Sequence, residues 1–558
     1  MKIGILSINA HTKNLNFACP LHSWAFQQFL RQNGYESMIL DYRPNYDHGF
    51  QARNPYRTYQ KSCVKRQQEL AAARGEEEEK AARKRLERDE MFRDGYRALG
   101  KRRKIRYDKF QNFIDTHYVK TEKCYTTALL EVEDPGFDCY ICATDVIWKY
   151  NPAEGYDLGF FLASRAMENK RKIAYAASRG VPGEYTEQQK KEFFHYLEDF
   201  DFLSVREESL KTYIAENSDL EVQTVLDPVL LHDAAFYEEI LVKPPEEHYV
   251  LLYYVMEKAT STIEAAAAYA REHGMKIVEI TDLPLADGRL GGYPGIDRVY
   301  RYEIGVEEWL GYLRYADYVF TNSFHATCFS ILFQKEFQTG FRLGDKLSHL
   351  LKLFGLSKRK IRKGKEPGEL DYEKVFRILQ EKRQESSDYI LHALAEVDGH
   401  RRTPRDYDAW KRELEYPFFC NGAAEKNTRI KNNGESLLPE SLLSAEKKKR
   451  AGWLLRIRIV DDWFYCKKDG SLVRADDFAM DACNGPGKLV HHALTLMKRK
   501  DMHPRVVAHR MFRKESPRGA GAYLFAPGER IPYLPVGEID EMRADLIVTT
   551  DLTNACIY

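Results

Sequence analysis

The first 400 residues alternate between short apolar runs and segments in which apolar residues recur at helical spacing. Residues 3–8 predict a strand, and a helix follows in which Leu21, Trp24 and Phe29 share one face. A second strand is predicted at residues 37–40. This strand–helix–strand opening is typical of a Rossmann-like domain. No GxGxxG loop follows the first strand, so dinucleotide binding is not predicted.

The alternation continues to about residue 243 and predicts a mostly parallel sheet. Polar side chains follow the predicted strands, among them Asp145, Arg206 and Asp227. In an open parallel sheet such strand ends line a ligand crevice. The predicted strands are 139–143, 173–177, 202–205 and 224–226, and the predicted helices are 158–169, 186–198 and 208–217.

A segment at about 60–110 interrupts this pattern with Arg, Lys, Glu and Ala. Opposite charges three and four residues apart, as in the run around Glu76–Arg83, predict solvated helices. We interpret the segment as an inserted helical hairpin without a catalytic role. The basic cluster 101–104 could contact phosphate, but neighbouring acids favour a solvated face.

A proline-marked linker at 244–245 precedes a second strand–helix alternation, which continues to about residue 400. The helical pattern at 370–397 predicts a helix that crosses back to the first domain. The predicted fold class is therefore α/β, with two Rossmann-like domains that face a cleft in a GT-B-like arrangement. The first spans 1–243 and includes the insertion, and the second spans 244–400.

The pattern changes again beyond residue 400, where 401–558 predicts a smaller α+β domain of unknown role. Strands are predicted at 453–460 and 463–466, a turn at 484–487, and a helix at 489–497. No catalytic set of residues is evident in this region.

Composition narrows the class of protein. The 558 residues carry a formal net charge of +1, which gives no reason to expect nucleic acid as a partner. No apolar run reaches the ~20 residues of a spanning helix, and no signal peptide is evident, so a cytoplasmic location is predicted. The ten scattered cysteines indicate reduced thiols. Cys139 and Cys142 lie in a predicted buried strand, which favours a structural role over metal or redox chemistry.

The stretch 321–330, TNSFHATCFS, lies between a predicted strand and a predicted helix. Such a junction lies at the carboxyl edge of a sheet, where helix amides favour anions and a histidine can transfer a proton. On local sequence alone, a helix cap at Ser323 with a packed His325 explains the same residues.

Seven motifs in order resemble those of the polysaccharide pyruvyl transferase family, over residues 1 to about 395. The stretch 321–327 is similar to that family's TDSFHGT, preceded by ADYV and followed by FSI. The other matching segments are 16–26 (NFACPLHSWAF), 41–44 (DYRP), 143–148 (ATDVIW), 174–178 (AYAAS), 204–209 (SVREES) and 225–228 (VLDP).

Several positions depart from the family motifs. Ala18 and Ala326 replace glycines, His22 replaces a glutamine, and Asn322 replaces an aspartate. Ala143 and Thr144 replace the Gly-Ser pair before the motif aspartate, which is Asp145 here. These changes predict a reshaped pocket and leave open a donor or acceptor that differs from the family's.

The resemblance implies an enzyme that transfers a pyruvyl group from phosphoenolpyruvate to two sugar hydroxyls, giving a cyclic ketal and phosphate. It implies a place in exopolysaccharide and cell-envelope biosynthesis, with a glycan or lipid-linked saccharide as acceptor and peripheral association with membrane glycan machinery. No cofactor and no metal are expected, because phosphoenolpyruvate is itself the activated donor.

This chemistry assigns roles to the matching residues. His325 is expected to be the general acid, and Asp145 to orient the acceptor or serve as base. Arg206 and Arg342 are expected to bind the donor's carboxylate or phosphate. The resemblance adds Ser323, Asn322 and Asn16 as substrate-binding residues.

Four alternatives remain open at the level of sequence. Arg206 could instead pair with Glu207 or Glu208, and Asp145 could cap the next helix. The chain could be a GT-B-like glycosyltransferase that uses another donor, although no acidic residue for a nucleotide ribose is identified. It could also be a non-catalytic glycan-binding module, because fold does not determine function.

Overall fold

The computed structural model describes residues 1–8, 15–44, 50–130, 133–151, 155–181, 185–255 and 259–398, with Arg405, Tyr407, Trp410 and short strands between 417 and 552. Two parallel sheets organise the described part of the chain. None of its helices combines the length and apolarity that a membrane crossing requires.

The first domain contains a seven-stranded parallel sheet in the order β3-β2-β1-β4-β5-β6-β7. Its strands are β1 (Lys2–Leu6), β2 (Glu36–Arg43), β3 (Lys120–Thr126), β4 (Cys139–Cys142), β5 (Arg171–Ala177), β6 (Phe202–Val205) and β7 (Gln223–Thr224). Its helices are α1 (Ala18–Gln32), α2 (Tyr56–Ala72), α3 (Glu76–Ala98), α4 (Gly100–His117), α5 (Thr127–Leu130), α6 (Glu187–Leu197), α7 (Glu208–Asn217) and α8 (Ala234–Glu238).

The second domain contains a five-stranded parallel sheet in the order β10-β9-β8-β11-β12. Its strands are β8 (Tyr249–Tyr254), β9 (Lys276–Thr281), β10 (Arg298–Tyr300), β11 (Tyr318–Thr321) and β12 (Glu336–Thr339). Its helices are α9 (Thr260–His273), α10 (Val306–Tyr315), α11 (Phe324–Leu332), α12 (Lys346–Leu353) and α13 (Tyr372–Val397). The prediction of two Rossmann-like domains facing a cleft is confirmed.

The sheet cores explain why the apolar runs predicted strands so well. All residues of β4 and β8 are buried, as parallel strands covered on both faces must be. Cys139 and Cys142 are among them, with free thiols, as predicted. The cluster of buried residues is continuous from β1 and α1 to β8, α10 and α13.

Two local predictions are wrong. Strand β3 was not predicted because its sequence KTEKCYT, at the edge of the sheet, is mostly polar and has no apolar run. The helix predicted at 158–169 is a set of turns with one 3-10 turn, Arg165–Met167. Phe160 and Phe161 are both buried there, against Tyr42 and Trp148 respectively. Aromatic packing from different directions therefore overrides the helical pattern.

The insertion consists of three helices, α2 to α4, and its last helix contacts the second domain. The basic cluster predicted as solvated is partly buried, since Arg103 is 1% exposed and Arg102 binds Glu303 at 2.6 Å. Gly95 of α3 lies so close to the carbonyl oxygen of Pro284 that a Cβ would be 1.5 Å from it. Close packing against the second domain, rather than solvent, therefore decides these positions.

Helix α13 crosses back to the first domain, as predicted. The hydroxyl of Ser386 accepts a hydrogen bond from the Leu226 amide at 3.0 Å, and Arg383 donates to the carbonyl oxygens of Leu230 and His232. The chain then stays with the first domain, because the Trp410 ring stacks on His195 at 4.3 Å.

The strands described beyond these residues include an antiparallel set. Strands predicted at 453–460 and 463–466 are found at Trp453–Ile459 and Asp462–Cys466, and they pair with each other. The former also pairs with Leu546–Leu552. The turn predicted at 484–487 and the helix at 489–497 lie outside the described residues.

Candidate active site

The candidate active site lies where strand ends of both sheets meet. Asp145 follows β4, Arg206 follows β6, and Asp227 follows β7 in the first domain. His325 is the second residue of α11, directly after β11 of the second domain. The predicted acid His325 therefore lies close to the three strand-end residues of the first domain, as expected at the carboxyl ends of parallel strands.

A chain of ion pairs connects the two domains at this point. Nε2 of His325 lies 3.3 Å from Oδ2 of Asp227, and the same oxygen accepts from Arg206 Nη1 at 2.8 Å. Asp227 is 1% exposed and also accepts from the amide of Val229. The contact with His325 is a close approach of the two groups, since Nε2 of His325 makes no hydrogen bond among the described residues.

Arg206 is fully engaged by acidic residues. Besides Asp227, it contacts Asp145 at 2.9 Å and Glu207 at 3.2 Å, and it lies over the Phe324 ring. The ion pair with Glu207 considered from the sequence is present, but it is one of three. A guanidinium with three carboxylate partners is better suited to orienting those side chains than to binding a ligand.

Asp145 is held by a cation from each domain. Arg206 contacts its Oδ1 from the first domain, and Nζ of Lys346, in α12, lies 3.5 Å from the same atom. The backbone of Asp145 has φ 66°, a left-handed conformation that aspartate tolerates better than most residues. The carboxylate is therefore oriented by both its backbone and its partners.

The burial of these groups and their mutual charges shift their pKa values. Burial alone would raise the pKa of Asp227, but His325 and Arg206 outweigh it and hold that pKa below its usual range. In the same way, Lys346 and Arg206 outweigh burial and keep the pKa of Asp145 well below its usual value. Both carboxyl groups are therefore ionised at neutral pH.

Two cations from the second domain are less fully paired than Arg206. Arg342 makes a long hydrogen bond of 3.4 Å to the carbonyl oxygen of Asn322, and no ion pair among the described residues. Lys346 contacts only Asp145 in this way. Burial lowers the pKa of both side chains. An anionic ligand would supply the counter-charge they lack.

The remaining predicted residues have structural partners. The Asn322 side chain exchanges hydrogen bonds with the amide and carbonyl of Val255, at 2.8 and 2.9 Å, and so joins β11 to the end of β8. Ser323 caps α11 by accepting from the Ala326 amide. Asn16 donates to Asp282 at 3.0 Å and thereby joins the two domains. Their predicted contacts with substrate remain predictions.

Sequence reasoning did not assign a role to His22, Cys19 or Lys346. His22, in α1, is fully buried, and its ring lies 5.8 Å from that of His325. Burial lowers its pKa to about 4. The sequence feature that could have indicated a role for His22 is its place in the family motif at 16–26, where it replaces a glutamine. Lys346 carried no such signal, because it opens a helix in a segment with no motif.

Cys19, His22 and Asp145 each offer a ligand atom within 4.8 Å of the others. This is the spacing of a candidate metal site, but Arg206 and Lys346 already contact the carboxylate. A divalent cation there would face both positive groups at short range. The donor set fits a metal poorly, and the absence of a metal stays a prediction.

A cavity of about 410 Å³ adjoins the site between β7, α12 and α13. Arg206, Asp227 and Phe324 form its inner wall, and Gln223, Lys211 and His349 are among its polar lining groups. Its volume falls in the range of small-molecule pockets.

Fold and site together define a two-domain α/β protein with a charged interdomain cleft. The sequence matches the model of the family described as polysaccharide pyruvyl transferase over residues 21–337, more than half of the chain. This protein therefore belongs to the polysaccharide pyruvyl transferase family. Membership supports a transferase with a saccharide acceptor. No curated protein matches this chain.

The solved structures that match this chain have low sequence identity to it and low TM-scores. They include UDP-GlcNAc 2-epimerase from Methanocaldococcus jannaschii, at 10% identity and TM-score 0.35, covering 71% of this chain and 100% of that one. The E. coli heptosyltransferase WaaC has 10% identity and TM-score 0.27, with coverages of 68% and 99%. T4 phage BGT has 9% identity and TM-score 0.31, with coverages of 74% and 99%.

Proposed function

We propose that this protein transfers a pyruvyl group from phosphoenolpyruvate to two hydroxyls of a saccharide, forming a cyclic ketal and phosphate. The observation that carries the proposal is the pairing of His325 with Asp227 across the domain boundary, beside two cations of the second domain. Family membership supports the reaction class, and these groups match what the donor requires.

Arg342 and Lys346 are the donor-binding cations in this proposal. Phosphoenolpyruvate carries a carboxylate and a phosphate, and each needs a cation in a partly buried site. Arg342 has no carboxylate partner among the described residues, and Lys346 shares one with Arg206. The sequence-predicted role of Arg206 in binding becomes one of positioning Asp145 and Asp227.

His325 is the general acid, which gives its proton to the methylene carbon of the donor. Asp227 lies 3.3 Å from Nε2 of the ring, where it can orient the imidazole. Asp145 orients the donor-binding Lys346 and contacts the positioning residue Arg206. An ionised carboxylate held by two cations is a weak base, so this arrangement favours orientation over proton removal.

The acceptor enters through the cavity beside Asp227. Its lining mixes side chains of both signs with the neutral groups of Gln223 and Thr224, which suits a polyhydroxyl ligand better than a second anion. A glycan or lipid-linked saccharide is the proposed acceptor class, and a cytoplasmic site with peripheral association to membrane glycan machinery stays a prediction.

The decisive experiment is calorimetric titration of phosphoenolpyruvate into wild type and Arg342→Ala. We expect micromolar to millimolar binding by wild type and at least about tenfold weaker binding by the variant, because loss of a charged hydrogen bond costs roughly 1.5–3 kcal/mol.

Arg271→Ala is the matched control, since Arg271 is an exposed arginine of α9 in the same domain. It should bind phosphoenolpyruvate as wild type does. Wild type that fails to bind phosphoenolpyruvate, or an Arg342→Ala variant that binds equally well, would contradict the proposed donor site.

A further inference from the structure

We propose that His22 is a second catalytic residue, the general base that accepts the proton of the attacking saccharide hydroxyl. This inference rests on the proposed pyruvyl transfer and deepens it. It assigns to one side chain a role that the sequence had left with Asp145.

The first observation is that His22 and His325 face each other from opposite domains. Their rings lie 5.8 Å apart, with His22 in α1 of the first domain and His325 in α11 of the second. Ketal formation needs one group to protonate the donor carbon and another to take a hydroxyl proton. Two histidines within one small-molecule diameter of each other meet that requirement.

The second observation is an unused nitrogen. Nε2 of His22 has no hydrogen-bond partner among the described residues, and the His22 side chain is fully buried. Buried polar atoms are nearly always paired, and Nε2 of His325 in the same site also has no hydrogen-bond partner among the described residues. Two unpaired nitrogens in one site point to a ligand with polar groups.

One tautomer of His22 suits this role. Ser23 Oγ donates to the carbonyl oxygen of Cys19 at 3.1 Å, lies 3.3 Å from Nδ1 of His22 and also contacts Ser7 Oγ. In the arrangement in which Ser23 accepts from Nδ1–H, the proton on Nδ1 leaves a lone pair on Nε2. That lone pair is what a general base requires.

The ring of His22 can accept a proton, and the nearby carboxylates of Asp227 and Asp145 favour its protonated form. Asp227, Asp145 and Arg206 of the first domain and His325 of the second act on its ring. Burial is the largest influence and lowers its pKa to about 4, so the ring is neutral at pH 7. Asp145, by contrast, is already paired with Arg206 and Lys346.

The proton balance closes with two histidines. His325 gives its proton to the donor's C3 while the first hydroxyl oxygen bonds to C2 and its proton passes to Nε2 of His22. The second hydroxyl oxygen then bonds to C2 as the bond between C2 and the phosphate oxygen breaks. Protonated His22 gives its proton to the leaving phosphate, and the second hydroxyl's proton restores His325.

The test is His22→Gln, which installs the residue of the family motif and keeps a similar size. Phosphate release from phosphoenolpyruvate is measured with methyl hexopyranosides as probe acceptors, whose 4- and 6-hydroxyls can close a six-membered ketal. We expect kcat to fall about 100-fold or more, as loss of a general base does, with donor affinity within about twofold of wild type.

His195→Gln is the matched control, because His195 is another buried histidine but stacks on Trp410 in the first domain. It should keep wild-type kcat. Equal kcat for His22→Gln and wild type overturns the role of His22 while leaving the proposed function intact. Wild type that neither binds phosphoenolpyruvate nor releases phosphate counts against both proposals.

A metal titration provides an independent check. If wild-type activity rises with added Zn²⁺ and is lost with a chelator, His22 acts as a ligand with Cys19 and Asp145, and its role as a base is overturned. Activity that is indifferent to both additions supports the base.

Discussion

Two buried arginines of the first domain, Arg206 and Arg106, are held in different ways. Arg206 is 4% exposed and meets three carboxylates, those of Asp145, Asp227 and Glu207. Arg106, in the inserted helix α4, is 0% exposed and meets one carboxylate, that of Asp282.

Arg106 is satisfied mainly by neutral groups. It donates to the carbonyl oxygens of Leu15 and Thr281 and lies 4.2 Å over the Phe17 ring. Its contacts join the insertion, the first domain and the second domain without concentrating charge. The Arg206 cluster instead gathers ionised groups at strand ends, where a ligand can exchange with them.

The comparison separates two uses of a buried cation. Carbonyl oxygens and aromatic rings hold Arg106 in a fixed structural position. Carboxylates hold Arg206 in a network that also touches His325 and, through Asp145, Lys346. A network of charged side chains can rearrange when an anion binds, whereas an arginine held by backbone carbonyl oxygens cannot.

The largest effect is expected for Arg206→Met, which leaves three carboxylates without their shared partner. We expect the free energy of unfolding to fall by about 3–5 kcal/mol, the usual result of removing one member of a buried ion pair. Denaturant unfolding followed by circular dichroism measures it.

The double variant Arg206→Met with Asp145→Asn provides the control. Neutralising one of the orphaned carboxyl groups should recover part of the loss. No recovery, or a loss below about 1 kcal/mol for the single variant, would show that Arg206 does not stabilise the cluster.

A smaller loss is expected for Arg106→Met, about 1–3 kcal/mol. Asp282 keeps hydrogen bonds from Tyr253 at 3.0 Å and from Asn16 at 3.0 Å, and methionine can pack on Phe17. The same unfolding assay applies. If Arg106→Met cost more than Arg206→Met, the distinction between the two sites would be wrong.

A further effect is a pH dependence of stability. Burial lowers the pKa of His22 and of His232 to about 4, from an ordinary value of 6.5. The folded state therefore binds fewer protons than the unfolded state between those values. Their contribution is present above pH 6.5 and is lost as the pH falls toward 4, by up to about 1.4 kcal/mol per pH unit for each histidine.

His22→Gln should remove the share of His22 and leave that of His232, whose Nε2 lies 2.8 Å from the carbonyl oxygen of Ala25. Unfolding free energies between pH 7 and pH 5 measure the slope. An unchanged slope in His22→Gln would mean that His22 is not buried in its neutral form.

The sequence predicted the alternating elements because parallel strands buried on both faces are continuous apolar runs. Strand 202–205 and helix 208–217 were predicted to the residue, and they are found at Phe202–Val205 and Glu208–Asn217. Edge strand β3 was missed because it is mostly polar and is held by pairing with β2. The turns at 158–169 were missed because contacts of Phe160 and Phe161 with distant aromatic residues determine them.

For the site, local sequence identifies the strand ends that carry His325, Asp145, Arg206 and Asp227. How these side chains pair depends on the folded arrangement of both domains. This arrangement joins Asp227 to His325 across the domains, takes Arg206 into an acidic cluster, and brings Lys346 and His22 beside them. The physical reason is that ion-pair geometry and burial depend on residues far apart in the chain, which no local pattern encodes.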